Sequence, residues 1–600
     1  MKLLFFLIIF IFFCQRSYSE EIKIIELDDQ NIDQGLIKSI EAEELSQDTP
    51  TVENKTDEEL NTSESKTILN ESEIIVEEDE IDNEITSLPD YWENADKDEI
   101  IFLFENMKPS YSNVLNDTLV EILKYNSKSP KNFNEDDFNY LKIDSLIKLN
   151  ERKEAFNMIN LFNNNEKHLN FYNVFKLNYY FSIYDLNQAC DFANSNDIKD
   201  LDINKNYLLK VDIFCSFIQN KINEADFLNS LLQDTNDKDS YFQKIFLNLK
   251  NSDNSLININ SYELDQNLLP LYSAMIRVGD MPLSQKFLDY DSDNLSEPII
   301  LSRSSDISLR LSASHKAYMK KKFNAESLSA LYQTVDFSSE ELNNYDEMIK
   351  KLKNKPEICM AFLFQRATIQ ILPITRIQAL LDFWNFAEQN DLDILAYDVS
   401  QKFINTIEPS SELSEFGISI ARAHIYNNNF DLADEWILFS ENYLSDESNY
   451  EEEMESLKLL YNLKNSNNDN EFNNILIANL YQLDSFLYKK INNNIDKQEI
   501  LLTVLSAINE NFETSLSKNR KLVDKREMPS RYLINKIKYS YKSKNYGELI
   551  LSIIISMTDK NWNEVHPEHL RIILSSLQDN LTEGIFREII LEILKETKII

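Results

Sequence analysis

The chain has 600 residues and a formal net charge of −41, from 101 acidic and 60 basic side chains. A surface this acidic repels phosphate backbones, so the composition argues against a protein that binds nucleic acid over most of its surface. Only 5 glycines and 12 prolines occur, and phosphate-binding loops and tight hairpins need glycine. With 43% hydrophobic residues the chain can bury a core, and an all-α fold with short polar turns is expected.

Residues 1–19 have the pattern of a secretory signal peptide. Lys2 precedes an unbroken run of twelve apolar residues, Leu3–Cys14, a length typical of signal peptides. Ser17 and Ser19 then supply the small residues that signal peptidase requires before Glu20. Because a membrane span takes about 20 apolar residues, the sequence predicts an exported protein without a membrane span, periplasmic in a bacterium and secreted otherwise.

Residues 20–87 form an acidic tail with 23 acidic and 4 basic residues and no aromatic residue. Low hydrophobicity and high net charge cannot offset the entropy lost on ordering, so this tail is expected to be disordered. Two interpretations remain open. The tail is either a solvating spacer, or it carries docking motifs at the apolar islands Ile22–Leu27, Leu36–Ile40 and Ile74–Val76.

From residue 88 onward, apolar residues recur at three- and four-residue spacing, which predicts amphipathic helices. Several segments share one plan, in which a helix leads into a short polar turn and a second helix carries an alanine near its start. In the clearest cases the turns lie at Asn150–Arg152 and Asn427–Asn429. The alanines of this plan are Ala155, Ala189 and Ala225, which are 34 and 36 residues apart, and later Ala396 and Ala433, which are 37 apart.

A helix–turn–helix unit repeated about every 34 residues resembles the tetratricopeptide repeat (TPR) class. The resemblance implies a TPR-like α-α superhelix, or solenoid, built of N-terminal repeats (88–250), an irregular helical middle (251–373) and C-terminal repeats (374–600). Within the middle, Leu268–Tyr332 has a turn at Pro282, a segment led by Pro298, and then Arg310 and Ala313. This pattern resembles uncharacterised exported helical-repeat proteins of Alphaproteobacteria. That second resemblance implies no known activity.

No set of residues in the sequence predicts a catalytic, cofactor or metal site. The most suggestive histidines are His566 and His569, but Pro567 lies between them, and a zinc-binding H-E-x-x-H pair needs a spacing of four. Proline followed by glutamate is typical of a helix start, which favours a structural role. We therefore expect a protein that is not an enzyme and that takes no cofactor and no metal.

Cys190 and Cys215 lie on what the pattern predicts to be successive helical hairpins. One interpretation is a disulfide in an oxidising compartment. The other is a pair of buried thiols, since free cysteine is among the most buried residue types. The sequence alone does not decide between them.

One basic patch stands out from the acidic background. It consists of ten residues opposed only by Asp524 and Glu527, with Tyr532, Tyr539 and Tyr541 interleaved. The patch is either a solvated helical face or the binding site for an acidic ligand, for which the acidic tail of the chain itself is a candidate. Its residues are Lys518, Arg520, Lys521, Lys525, Arg526, Arg531, Lys536, Lys538, Lys542 and Lys544.

Together these features predict an exported, non-enzymatic adaptor or scaffold that binds a protein or peptide partner through a helical-repeat surface. The alternatives are a helical accessory domain or an unrecognised enzyme of the cell envelope, and a structural spacer. The sequence predicts no nucleic-acid partner.

Overall fold

The computed structural model describes residues 91–600 apart from 93, 126–127, 162–166, 196–197, 199–203, 236, 263, 444–447, 481–493, 510–511, 513–523 and 579–583. The predicted signal peptide and acidic tail lie outside these described residues. What is described belongs to one compact unit and contains helices but no β-strand, which confirms the all-α expectation.

The helices are numbered here in chain order within the described residues. The first nine are α1 Lys97–Asn106, α2 Asn113–Lys124, α3 Glu135–Lys148, α4 Arg152–Leu161, α5 Leu169–Ser182, α6 Leu186–Asn194, α7 Lys205–Ile218, α8 Ile222–Asp234 and α9 Ser240–Asn251. The next eight are α10 Leu269–Val278, α11 Gln285–Tyr290, α12 Ser292–Leu301, α13 Ile307–Met319, α14 Ala325–Gln333, α15 Ser339–Asn343, α16 Tyr345–Leu352 and α17 Pro356–Thr368. The last eleven are α18 Pro373–Glu388, α19 Asp393–Ile404, α20 Gly417–Tyr426, α21 Phe430–Tyr443, α22 Ser448–Lys464, α23 Asp469–Leu480, α24 Ile495–Ile508, α25 Arg531–Ser543, α26 Tyr546–Ser556, α27 Pro567–Ser576 and α28 Ile585–Glu596. Short 3-10 helices lie at Ile259–Ser261, Gln266–Leu268, Ser411–Phe416 and Trp562–Glu564.

The predicted helix–turn–helix plan is present, and its turns explain why the chain needs so little glycine. In each of five hairpins a residue with positive φ lies five positions before the plan's alanine, and the alanine is fully buried between the two helices. The pairs are Asn150 and Ala155, Tyr184 and Ala189, Asn220 and Ala225, Asp391 and Ala396, and Asn428 and Ala433. Positive φ after a helix is usually supplied by glycine, less often by asparagine, and asparagine or aspartate supplies it in four of these five turns.

Each of these turns also satisfies the last carbonyls of the preceding helix. In the first hairpin Asn150 has φ 61°, and the backbone N–H of Glu151 donates to the Leu146 carbonyl over 2.8 Å. The same bond recurs at the fifth hairpin, from Asn429 N–H to the His424 carbonyl over 2.9 Å. Such a bond, from an N–H to the carbonyl five residues earlier, ends a helix. The end of the first helix in each hairpin is therefore determined by residues of the turn itself.

A disulfide joins Cys190 in α6 to Cys215 in α7, with the two Cα atoms 5.6 Å apart. Both cysteines are buried. Of the two interpretations that the sequence left open, the structure has the disulfide. Cys359 in α17 is a buried free thiol, and burial raises its pKa to about 12.

The middle of the chain contains the shortest helices among the described residues: α11, α15 and α16 have 6, 5 and 8 residues. The prediction that Pro298 leads a segment was wrong, because Pro298 lies inside α12. Proline has no backbone N–H, so Pro298 cannot donate to the carbonyl four residues earlier, and α12 ends three residues later at Leu301. Arg310 of α13 donates from Nε to the Ile300 carbonyl near the end of α12 over 2.8 Å.

Helices from the two ends of the described chain pack against each other. One hydrophobic core contains residues from Trp92 to Tyr179 together with residues from Leu459 to Ile599. Helix α26 contacts both α1 and α2, and α28 also contacts α2. The N–H of Gly547 donates to the Tyr91 carbonyl over 3.1 Å. The array of hairpins therefore closes on itself, an arrangement that the sequence analysis did not predict.

Glycine is required at this closure. A Cβ atom on Gly547 would lie 2.5 Å from ring atoms of Trp92, which is fully buried. The Trp92 ring also packs within 5.6 Å of the Phe104 ring and 5.5 Å of the Phe138 ring. Only a residue without a side chain lets helix α26 approach this aromatic cluster so closely.

Within the described residues no helix is both long and apolar enough to cross a bilayer. The apolar run Leu549–Met557 belongs largely to α26, which is buried in the shared core.

Candidate partner-binding surface

Helix α25 contains most of the described residues of the predicted basic patch. One face of this helix is buried and the other is exposed. It begins at Arg531, where the Ser530 hydroxyl accepts from Leu533 N–H over 3.3 Å. Ile537 and Ser540 are fully buried where α25 packs on α26 and α27. Because the buried face is fixed between two helices of the closure, the outer face is held in one orientation.

One predicted patch residue, Lys536, belongs to the interior. It is only 8% exposed, and its Nζ lies 2.5 Å from Glu548 Oε1 in α26 and 3.3 Å from Glu99 Oε2 in α1. Glu548 is fully buried and also accepts from the Ser540 hydroxyl over 2.8 Å. This lysine therefore joins the two ends of the chain and is not available to a partner.

Arg526 is also committed within the chain. Its guanidinium lies 2.5 Å from Glu499 Oε2 and 2.6 Å from Asp524 Oδ2, so its charge is balanced by two carboxylates. The carboxylates and their hydrogen bonds hold the pKa of Arg526 above its usual value despite burial. Three further members of the patch, Lys518, Arg520 and Lys521, lie outside the described residues.

The remaining five members of the patch are exposed cations. Three of them, Arg531, Lys538 and Lys542, are seven and four residues apart on α25. At 3.6 residues per turn they lie on one face of the helix, and we call these three the cationic stripe. Lys525 and Lys544 flank it and are exposed as well. In the part of the chain that the structure describes, no ion pair uses any of these five side chains.

Aromatic side chains accompany the stripe. Tyr539 is 59% exposed and lies next to Lys538 on the helix surface. Tyr532 packs edge-on against Phe102 of α1, with ring centroids 5.4 Å apart, and its hydroxyl donates to Glu99. Burial and this hydrogen bond raise the pKa of Tyr532. Tyr539 is thus the tyrosine left open to a partner, whereas Tyr532 helps to bind α25 to α1.

Glu568, at the start of α27, has a pKa that is influenced by Lys538 of the stripe. Its carboxylate accepts from Arg571 Nε and NH2 over 2.8 and 2.7 Å. These hydrogen bonds, with a smaller contribution from Lys538, hold its pKa below the usual value. Arg571 makes the direct contacts with Glu568, and Lys538 of the stripe interacts with this carboxylate through its charge alone.

His566 and His569 do not converge on one point. The His566 ring accepts from Glu568 N–H over 3.2 Å and so caps α27, in which Pro567 is the first residue. His569 is fully buried and its Nε2 lies 2.9 Å from the Ser556 hydroxyl. Across the described residues no three acidic, histidine or cysteine side chains come together as a metal site would require.

A separate cavity of about 500 Å³ lies in the irregular middle. Val335, Met348 and Leu352 are among the residues that line it, and two further lining residues, Lys351 and Glu341, form an ion pair over 2.7 Å. A cavity of this size suits a small ligand. The hydrogen bond from Lys351 lowers the pKa of the exposed Glu341 carboxyl, so this pair favours the charged forms of both groups and not a proton donor or acceptor near neutrality.

Comparison of the chain with protein-family models, with curated proteins and with solved structures yields no match. A functional conclusion therefore has to come from the fold and from the chemistry of the surface described above.

Proposed function

We propose that this chain is an exported, non-enzymatic adaptor with a TPR-like helical array, and that it binds an acidic segment of a protein or peptide partner. The cationic stripe on α25 carries the proposal. It offers three aligned positive charges and the exposed ring of Tyr539, on a helix that is fixed by its buried face. Carboxylates of a partner would replace the counterions of the stripe, and tyrosine is among the residues enriched at protein interfaces.

Export, to the periplasm in a bacterium, is supported by two independent features. Residues 1–19 have the pattern of a signal peptide. The disulfide between Cys190 and Cys215 is the second, because structural disulfides persist in oxidising compartments and are rare in the cytosol.

Binding through a helical-repeat surface is supported by the five hairpins of one plan. Arrays of such hairpins bury their apolar faces between neighbours and leave extended outer surfaces for partners. The overall charge of −41 makes a nucleic-acid partner unfavourable. The same charge makes an exposed cluster of cations the natural place for an acidic polypeptide.

The proposal is tested with the chain that begins at Glu20. Immobilised chain is exposed to the envelope or secreted fraction of the source cells. The native chain is compared with a stripe variant, Arg531→Gln/Lys538→Gln/Lys542→Gln, and with a chain that lacks residues 20–87. The matched control, Lys350→Gln/Lys353→Gln/Lys355→Gln, removes the same charge from three other exposed lysines.

We expect the native and control chains to retain the same acidic protein, and the stripe variant to lose it. Retention should also fall steeply with added salt, because exposed charges more than ~8 Å apart are screened at physiological ionic strength. Equal retention by the stripe variant and the control would refute the role of the stripe.

A further inference from the structure

We infer that residues 79–90, the part of the acidic tail and its junction that immediately precedes Tyr91, cover the cationic stripe in cis and compete with the acidic partner for it. The inference rests on the proposed function in one respect, since it concerns the same surface. It adds a regulatory element: the surface is occupied by the chain's own segment until a stronger acidic ligand displaces it.

The segment joins the described chain at Tyr91, close to helix α25. Tyr91 is held by a hydrogen bond from Gly547 N–H to its carbonyl over 3.1 Å, and the neighbouring Trp92 is fully buried against Gly547. Gly547 lies three residues after Lys544, which caps the C-terminal end of α25. The segment before Tyr91 therefore starts beside the C-terminal end of the stripe.

The charges of the segment and of the stripe are complementary. Residues 79–90 contain five acidic side chains and no basic one: Asp79, Glu80, Asp82, Glu84 and Asp90. The stripe and its two flanking lysines present five exposed cations that no ion pair in the described part of the chain uses. The two sets match in number and are opposite in sign.

The segment is long enough to extend along the whole stripe. The stripe runs from Arg531 to Lys542, which are eleven residues apart on the helix, a length of about 16 Å at 1.5 Å per residue. A segment of twelve residues can extend to about 40 Å, which is more than twice the length of the stripe. A short tether of this kind holds its segment at an effective concentration of roughly 1 mM, which favours the contact in cis over a free peptide of the same sequence.

The test uses a fluorescent synthetic peptide with the sequence of residues 79–90 and measures its binding by anisotropy. The chain that begins at Glu20 is compared with a variant whose own segment is neutralised. The neutralising substitutions are Asp79→Asn, Glu80→Gln, Asp82→Asn, Glu84→Gln and Asp90→Asn. A matched control removes the same charge farther upstream, by Asp28→Asn, Asp29→Asn, Asp33→Asn, Glu43→Gln and Glu44→Gln.

If the peptide alone has a Kd of about 0.1 mM, competition by a segment at roughly 1 mM weakens its apparent binding about tenfold. We therefore expect the neutralised variant to bind the added peptide about tenfold more tightly than the native chain and the upstream control. Adding the stripe substitutions to the neutralised variant should abolish this binding. Equal affinity in all chains, no binding in any of them, or binding that survives loss of the stripe would each overturn the inference.

A second measurement requires no added peptide. A carbodiimide, which joins a carboxylate to an amine in direct contact, should cross-link residues 79–90 to Lys538, Lys542 or Lys544 within one native chain, as read by mass spectrometry. Absence of these cross-links would also overturn the inference, provided that known lysine–carboxylate pairs such as Lys351 and Glu341 are cross-linked efficiently. Because neither measurement involves the partner, failure here leaves the capture experiment, and with it the proposed function, to be judged separately.

Discussion

Three buried histidines make the folded state sensitive to mild acid. His315, His424 and His569 are all buried, and burial lowers their pKa values to about 4, 4 and 3. In the unfolded chain they titrate near 6.5. Between these values the unfolded state binds more protons than the folded state, so the free energy of unfolding must fall as the pH drops below about 6.5.

The effect of one of these groups can be isolated with His569→Gln. Each such histidine adds about 1.4 kcal/mol per pH unit to the pH dependence of the unfolding free energy within its window. We expect the variant to show a shallower loss of stability between pH 6.5 and 4 than the native chain, by about that slope. Urea unfolding at several pH values provides the measurement. Parallel curves for the two proteins would contradict the prediction.

Lys536 shows why the basic patch could not be sorted from sequence into surface and interior. Its spacing from Arg531 and Lys538 places it away from the stripe, toward α26. Nothing local to the sequence identifies its partners, Glu99 and Glu548, since one of them lies more than 400 residues away along the chain. The helix, its start near Ser530 and the exposed tyrosine follow from local pattern, whereas the ion pair depends on the closure.

Substitution of Lys536 tests this assignment. Lys536→Met leaves the buried Glu548 carboxylate without its cation, and breaking a buried ion pair in this way typically costs about 3–5 kcal/mol. The double variant Lys536→Met/Glu548→Gln removes both charges and should regain most of that loss. Guanidinium unfolding measures both effects. A single variant as stable as the native chain would place Lys536 on the surface instead.

At the scale of helices, the hairpins are the part of the fold that the sequence predicts best. The buried alanine and the asparagine or aspartate five residues before it are both local signals, and they mark four of the five hairpins of this plan. At the remaining one, Tyr184 adopts φ 65° without any such signal. The pairing of Cys190 with Cys215 could not be predicted, because it depends on how α6 packs against α7.

Loss of the disulfide should destabilise the N-terminal hairpins. It closes a loop with a sequence separation of 25, for which chain entropy gives a stabilisation of about 3 kcal/mol. We expect Cys190→Ser/Cys215→Ser to lower the unfolding free energy by roughly that amount. The buried thiol Cys359 provides the control, since Cys359→Ser removes a cysteine without opening a covalent loop. Non-reducing and reducing mass spectra of the native chain should differ by the two hydrogens of the bond.

At the scale of the whole described chain, the closure is the main feature that the sequence did not predict. A solenoid pattern indicates which helices are neighbours in order along the chain, and it carries no information about whether the last helix meets the first. Here Glu592 of α28 makes hydrogen bonds across the closure. Its carboxylate accepts from the Ser112 hydroxyl over 2.5 Å, from Asn113 N–H over 3.1 Å and from Trp562 Nε1 over 2.8 Å.

Glu592→Ala should therefore loosen two distant segments together. The substitution leaves three donors without their acceptor, at a cost of about 1–3 kcal/mol for each donor that stays buried. We expect faster amide hydrogen exchange both in the first turn of α2 and around Trp562, measured by mass spectrometry. The control Glu588→Ala removes an exposed carboxylate one turn earlier on the same helix. Faster exchange at only one of the two segments would count against a shared closure.

The closure also constrains how this protein can evolve. An open array of hairpins can gain or lose a unit by duplication or deletion, because each unit contacts only its neighbours. In this chain an added hairpin would shift α28 by roughly the 8–10 Å that separates packed helices, and Glu592 would no longer reach Ser112. The number of hairpins is thereby locked, and relatives should differ in the lengths of their loops while keeping the same count of units.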